Sequence, residues 1–277
     1  MTVQSINSNE QARAILVGWL KCFAAAILER DSAKAAGCFL PDGYWKDILA
    51  FSWEHRYFDG SKAIAEAFEL TMDRTEPSAF RVSPDRMAPR IAVRATRHVV
   101  EGFFDFDTKV ASATAFVRLE LSPEQNGKPL AWILLTSFQQ LKGFEETIGA
   151  RRPTGQKFAQ NTLGRSWLED LEDRQSLNSH ETEVAIIGAG QAGLTIAARL
   201  SQMGVEPLVL ERTPRIGDVW RDRYRSLTLH NEMMANHLPY ISYPETWPLW
   251  LTKDHLAIWL ETYATTMSLN VWASTSI

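Results

Sequence analysis

The chain has 277 residues, 29 basic and 33 acidic side chains, a net charge of −4 at pH 7, and 45% hydrophobic residues. That length allows one or two domains with a core of normal size. The mildly acidic balance, with basic pairs as sparse as Arg151-Arg152, argues against a dominant nucleic-acid or membrane-surface role. Two cysteines, Cys22 and Cys38, are too few for a disulfide framework or a metal-ligand cluster, and Cys22 lies in an apolar helical pattern that reads as a buried thiol. Met1 to Glu10 carries no secretory signal, and no stretch approaches the ~20 apolar residues of a membrane span. The expectations are a reducing, cytoplasmic setting, no nucleic-acid partner and no membrane span.

The elements follow in chain order. Ala12, Ile15, Leu16, Trp19, Phe23, Ile27 and Leu28 recur at helical spacing, and Ser8 with Gln11 reads as a capping box at the helix start. Asp31-Ser32 restarts a short helix ending near Gly37, and Ser61 to Met72 reads as a third helix after Gly60. Ile91 to Phe106 is rich in Val and Phe and reads as one or two strands. Ala111, Ala113, Ala115, Val117, Leu119 and Leu121 alternate with Ser112, Thr114, Phe116, Arg118 and Glu120, the period of a half-buried strand. Asn126-Gly127 signals a tight turn, and Pro129 to Leu141 is a further long strand. Helices followed by long antiparallel strands indicate an α+β domain whose curved sheet wraps the helices.

This order, with Tyr44-Trp45-Lys46-Asp47 and Phe51-Ser52-Trp53-Glu54-His55-Arg56 between the second and third helices, resembles the NTF2-like (SnoaL-like) domains. The resemblance covers residues 1–145 and implies a cone-shaped fold around an apolar pocket, with dimerisation through the open sheet face. Asp47, Trp53, His55 and His98 are either pocket residues capable of acid–base work or structural. Residues 146–182 are polar and charge-mixed and read as a linker, with Trp167 and Leu168 as anchors.

From residue 183 the pattern changes. Val184-Ala185-Ile186-Ile187 is a short apolar run of the kind that forms a buried parallel strand, and Gly188-Ala189-Gly190-Gln191-Ala192-Gly193 follows at once. A helix pattern runs from Gln191 to Met203 and ends at Gly204, and Pro207-Leu208-Val209-Leu210 is a second strand closed by Glu211. Gly188 permits the tight turn, Gly190 lets a pyrophosphate approach the backbone, and Gly193 lets helix and strand pack closely. The helix N-terminus then receives the phosphates. Glu211 is suited to accept hydrogen bonds from an adenosine ribose and to repel a 2′-phosphate.

Arg212-Thr213-Pro214-Arg215-Ile216-Gly217-Asp218-Val219-Trp220-Arg221 resembles the segment that follows the second strand in flavin-containing monooxygenases, with Asp218 where that family usually has a second glycine. The similarity continues through Arg223 to His230, Leu238-Pro239-Tyr240, Tyr243 to Pro248, Thr252-Lys253-Asp254 and Leu269 to Trp272. The resemblance implies an FAD-dependent, NADPH-consuming monooxygenase acting on a small-molecule substrate. In that family NADPH reduces the flavin, and the reduced flavin activates dioxygen against a soft nucleophile or a ketone. It implies FAD contacts from Gly188, Ala189, Gly190, Gln191, Ala192, Gly193, Glu211, Arg212, Val219, Trp220 and Arg221, with Trp220 stacking near the cofactor or filling the core. It offers His230 and Asn231 as catalytic candidates, while for His230 and His237, each a lone histidine, a hydrogen-bonded structural role is the favoured reading. Neither a second Gly-rich fingerprint for NADPH nor the family's Phe-Gly-His stretch is found in the sequence. Residues 183–277 are therefore expected to be the first part of an incomplete α/β Rossmann-type FAD domain, truncated and inactive alone. The alternative is an NTF2-like binding or dimerisation module, or a cofactor-free isomerase or cyclase, beside a vestigial flavin domain.

Overall fold

The computed structural model of the chain describes residues 3–121, 128–154, 164, 166–176 and 182–277; the Asn126-Gly127 turn lies outside them. The chain divides into two compact units, Met1–Gly143 and Phe144–Ile277.

The first unit opens with helix α1, Val3–Leu28. It begins before Ser8, so Ser8 and Gln11 lie inside the helix rather than at its start. Over Asn9–Leu28 the helix is long and apolar enough, by length and composition alone, to cross a membrane, contrary to the sequence expectation. Its stripe of Ala12, Leu16, Trp19, Leu20, Phe23, Ala26 and Ile27 is nevertheless buried in the core of this unit. Ala14, Gly18 and Cys22 lie on other faces of the helix, which is why Cys22 is exposed and Cys38, not Cys22, is the buried thiol. Helix α2, Ser32–Ala36, is capped by the Asp31 carboxylate, which accepts the Lys34 N–H at 2.8 Å. Helix α3 spans Gly60–Thr75.

Seven strands form one sheet: β1 Phe39–Ile48, β2 His55–Asp59, β3 Ser78–Val82, β4 Arg90–Arg94, β5 Arg97–Asp107, β6 Ala111–Glu120 and β7 Leu130–Leu141. Their order is β2-β1-β7-β6-β5-β3, with β4 also pairing β5. All pairs are antiparallel except β1 with β7, which is parallel. Along β6 burial alternates residue by residue, matching the apolar alternation of the sequence.

The inner face of the sheet closes on a core of aromatic rings. Trp45 stacks on Phe68 at 4.3 Å and Trp19 on Phe23 at 4.9 Å, with Phe39, Phe51, Phe104 and Phe106 buried around them. Asp47 is fully buried among them. Its carboxylate accepts the Ser52 N–H and hydroxyl, both at 2.7 Å, the Phe51 N–H at 3.0 Å and the Thr136 hydroxyl at 2.6 Å. Trp53, His55 and His98 are exposed, so the four residues that the sequence left as either pocket or structural are not gathered in one pocket.

The second unit begins with a segment that fastens onto its Rossmann helix. The Thr147 N–H donates to the Gln202 carbonyl at 2.8 Å, and Glu146 accepts from Arg199 and from the Tyr240 hydroxyl. Within the stretch read as a linker, Gly149–Arg151 forms a 3-10 turn and Trp167–Ser176 forms helix α4. Trp167 and Leu168 are 51% and 54% exposed, so neither is a buried anchor. Strands β8 Val184–Ile187, β9 Pro207–Leu210 and β10 Asn270–Trp272 make a parallel sheet in the order β10-β9-β8. Helix α5, Gln191–Gln202, connects β8 to β9, the short helix α6 is Asp218–Arg221, and helix α7 is Lys253–Thr266. Leu194, Ala197 and Ala198 of α5 pack with Leu256, Trp259, Leu260 and Tyr263 of α7 in a separate core, the face that spacing in α7 suggests.

Candidate dinucleotide site

The C-terminal ends of β8 and β9 open on a cleft of about 740 Å³ lined by Gly188, Gly190, Glu211, Arg212, Thr213 and Val219 among others. Ligands of open parallel sheets sit at such strand ends. The loop from β8 into α5 is built by its glycines. Gly188 takes a left-handed φ of +94°, which a side chain would strain, and its N–H bonds the Leu210 carbonyl at 2.8 Å. A Cβ on Gly193 would overlap the Gly188 carbonyl oxygen, so this position tolerates only glycine. Gly190 is different: a Cβ there meets nothing within 4 Å, because the residue faces open space at the mouth of the helix. Gly190 is the N-cap of α5 and offers no side-chain cap, so the first-turn N–H groups and the positive end of the helix dipole face the cleft.

Glu211 stands at the end of β9 and ties the loop to that strand. Its Oε2 accepts the Ala189 N–H at 2.7 Å, while Oε1 accepts the Thr213 N–H at 2.9 Å and the Thr213 hydroxyl at 2.8 Å. Partial burial pushes this carboxyl up, but the Thr213 donors, the Ala189 N–H and the nearby Arg212 outweigh burial and hold it below the usual carboxylate range. Glu211 is thus an anion at neutral pH.

The segment after β9 divides its side chains between cleft and scaffold. Val219 lines the cleft and is 47% exposed. Trp220 packs against the core. The Arg221 guanidinium donates to the Ile216 carbonyl and to Asp218, both at 2.8 Å, and to Glu261 of α7 at 2.7 Å. Asp218 also accepts the Arg215 N–H at 3.0 Å and so serves as a local anchor. Gly217, with a φ of +89°, lies so close to α7 that a Cβ would come within 2.5 Å of the Ala257 carbonyl oxygen. Gln191 and Ala192 open α5 beside the cleft. His230, Asn231 and His237 are exposed, and none of them lines it. Thr213, Asp222 and Arg223 do line it without having been singled out in sequence. The available signal for Thr213 was a hydroxyl two residues after a strand-terminal acid, the spacing of a side-chain-to-backbone turn.

A family model for an NAD(P)-binding Rossmann-like domain matches residues 186–250. Indole-3-pyruvate monooxygenase YUCCA1 of Oryza sativa subsp. japonica is 36% identical over 98 residues, 34% of this chain and 24% of that protein. An uncharacterized CzcO-like oxidoreductase of Geobacillus kaustophilus (strain HTA426) is 37% identical over 101 residues, 35% of this chain and 28% of that protein. This chain therefore spans about a quarter of the length of the curated relatives it matches. Among solved structures, a ketosteroid isomerase-like protein from Erwinia carotovora atroseptica SCRI1043 is 12% identical with a TM-score of 0.33, covering 45% of this chain and 94% of that one. Residues 186–250 thus match an NAD(P)-binding Rossmann-like domain, about a third of the chain is similar to proteins named as a monooxygenase and an oxidoreductase, and the same polypeptide carries a separate α+β unit.

Proposed function

We propose that this chain binds the adenosine-pyrophosphate half of FAD in the cleft of its second unit and serves an FAD-dependent, NADPH-consuming monooxygenase. The open space at Gly190, directly before the N-terminus of α5, carries this reading. Gly188, Ala189, Gly190, Gln191, Ala192 and Gly193 would cradle the pyrophosphate, and Glu211 would accept from the ribose hydroxyls. An anionic Glu211 disfavours a 2′-phosphate, so this cleft suits FAD and not NADPH. The bound flavin would supply hydride acceptance and dioxygen activation, while the chain's own groups bind, orient and exclude water. Arg212 and Val219 would form the outer wall. Trp220 and Arg221 would act by shaping that wall, since their side chains are committed to the core and to Asp218 and Glu261. Similarity to proteins named as monooxygenases supports the reaction class and a small-molecule substrate.

Two further parts belong to this reading. Self-association would use the outer sheet face of the first unit, where register places Phe103, Phe116 and Leu135 side by side. A cytoplasmic setting fits two free thiols. The alternative, a cofactor-free isomerase with a ligand inside the cone, meets an interior already filled by aromatic side chains.

The test is the visible absorption spectrum of the purified chain, with and without added FAD. A bound-flavin band that disappears in Gly190→Asp, with the fold retained, is the expected result. A folded wild-type chain that takes up no FAD overturns the proposal.

A further inference from the structure

Resting on the dinucleotide reading above, we infer that Thr213 is the positioning residue that aims the Glu211 carboxylate into the cleft and reserves one of its acceptor sites for a ribose hydroxyl.

A carboxylate offers about four acceptor sites on its two oxygens. Here three are taken: two on Oε1 by the N–H and hydroxyl of Thr213, and one on Oε2 by the Ala189 N–H. Thr213 saturates Oε1 and the glycine loop half-saturates Oε2, which leaves the remaining site on Oε2, the oxygen bound to the fingerprint loop. A diol held over that loop meets an acceptor already fixed in place, so the ordering cost is not levied on binding.

The Thr213 hydroxyl has an alternative acceptor. Its oxygen lies 3.0 Å from the Arg215 carbonyl as well as 2.8 Å from Glu211. With one proton it donates to one of them at a time, and an anionic carboxylate is the stronger acceptor. Protonation of Glu211 removes that preference and frees the hydroxyl to turn toward Arg215. Aim and charge of Glu211 are therefore coupled through one side chain. The other charged side chains around the cleft are Arg212, Asp222 and Arg223. Asp222 is distinguished from Glu211 by residue type in a carbon-detected titration.

The experiment compares the full chain with Thr213→Val and Thr213→Ser. Carbon-13 NMR follows the Glu211 side-chain carboxyl with pH in the absence of cofactor, and fluorescence titration gives the FAD dissociation constant. In Thr213→Val the Glu211 titration should move to higher pH and FAD affinity should fall about tenfold, the loss of one charge-assisted hydrogen bond. In Thr213→Ser, which keeps the hydroxyl, both should return to the wild-type values. An unchanged Glu211 titration in a folded Thr213→Val overturns the inference. The NMR measurement needs no cofactor, so it decides the role of Thr213 even if the wild-type chain refuses FAD, the result that would sink the dinucleotide reading instead.

Discussion

Glu101 in the first unit and Glu211 in the second are each held by several donors, and the two carboxylates serve different ends. In the first unit Glu101 of β5 is only 1% exposed and takes five bonds from three guanidinium groups, those of Arg90, Arg94 and Arg118. Every lone pair is engaged, and the group staples β4, β5 and β6 together. In the second unit Glu211 takes three bonds at the wall of a cleft and keeps one acceptor site in reserve. In the proposed reading the saturated carboxylate is structural, and the one left incompletely saturated beside open space would receive a ligand. The same contrast runs through the units as a whole. The first closes its sheet over stacked rings, whereas the second leaves its strand ends open.

The sharpest way to break this contrast is Gly193→Val. No rotamer relieves a Cβ that overlaps the Gly188 carbonyl, so the second unit should lose more than about 5 kcal/mol and all FAD binding, read by urea unfolding and flavin fluorescence. Wild-type stability in this variant would mean that helix and strand do not pack as described. Trp45→Ala tests the filled cone. Removing a fully buried indole that stacks on Phe68 and donates to Thr136 should cost about 3–5 kcal/mol, followed by circular dichroism during thermal melting. A cost below about 1 kcal/mol would point to an interior with room to collapse.

Glu101→Gln should cost about 2 kcal/mol, less than a fully enclosed ion pair because Arg90, Arg94 and Arg118 keep partial access to water. Burial pushes the Glu101 carboxyl up, and the three arginines outweigh it, so the group lies below the usual carboxylate range. A depressed folded-state pKa contributes stability above the unfolded value, lost as pH falls through the folded one. Wild-type stability should therefore decline on acidification below the usual carboxylate range, and the Gln variant should lack that part of the decline. Equal acid slopes would remove Glu101 from the account. The smallest effect is expected from Cys22→Ser on the exposed face of α1, within about 0.5 kcal/mol by chemical denaturation, whereas the buried Cys38 should not tolerate the change as well.

Much of this was legible in the residues themselves. The β8-α5-β9 unit and its acid come from local rules: glycine where the backbone turns left-handed or two elements touch, apolar runs for strands, and an N-terminal helix dipole. The alternation along β6 and the apolar stripe of α1 are likewise local periodicities found on the face the period indicates, except that Leu28, at the end of the α1 stripe, is 60% exposed. Strands β1, β2 and β3 were not legible. The first contains Pro41, Asp42 and Gly43, poor strand formers that pairing with β7 and β2 overrides.

The sequence by itself determined where a phosphate can approach a backbone, because that depends on residue type within a few positions of Gly188. Only the tertiary structure decided which side chains share a cavity. Asp47 became the buried acceptor of the Thr136 hydroxyl, Arg221 a strut to Glu261, and Glu211 the acceptor of the Ala189 N–H. A side chain's role depends on the donors and acceptors that distant segments bring to it, and no local period carries that information.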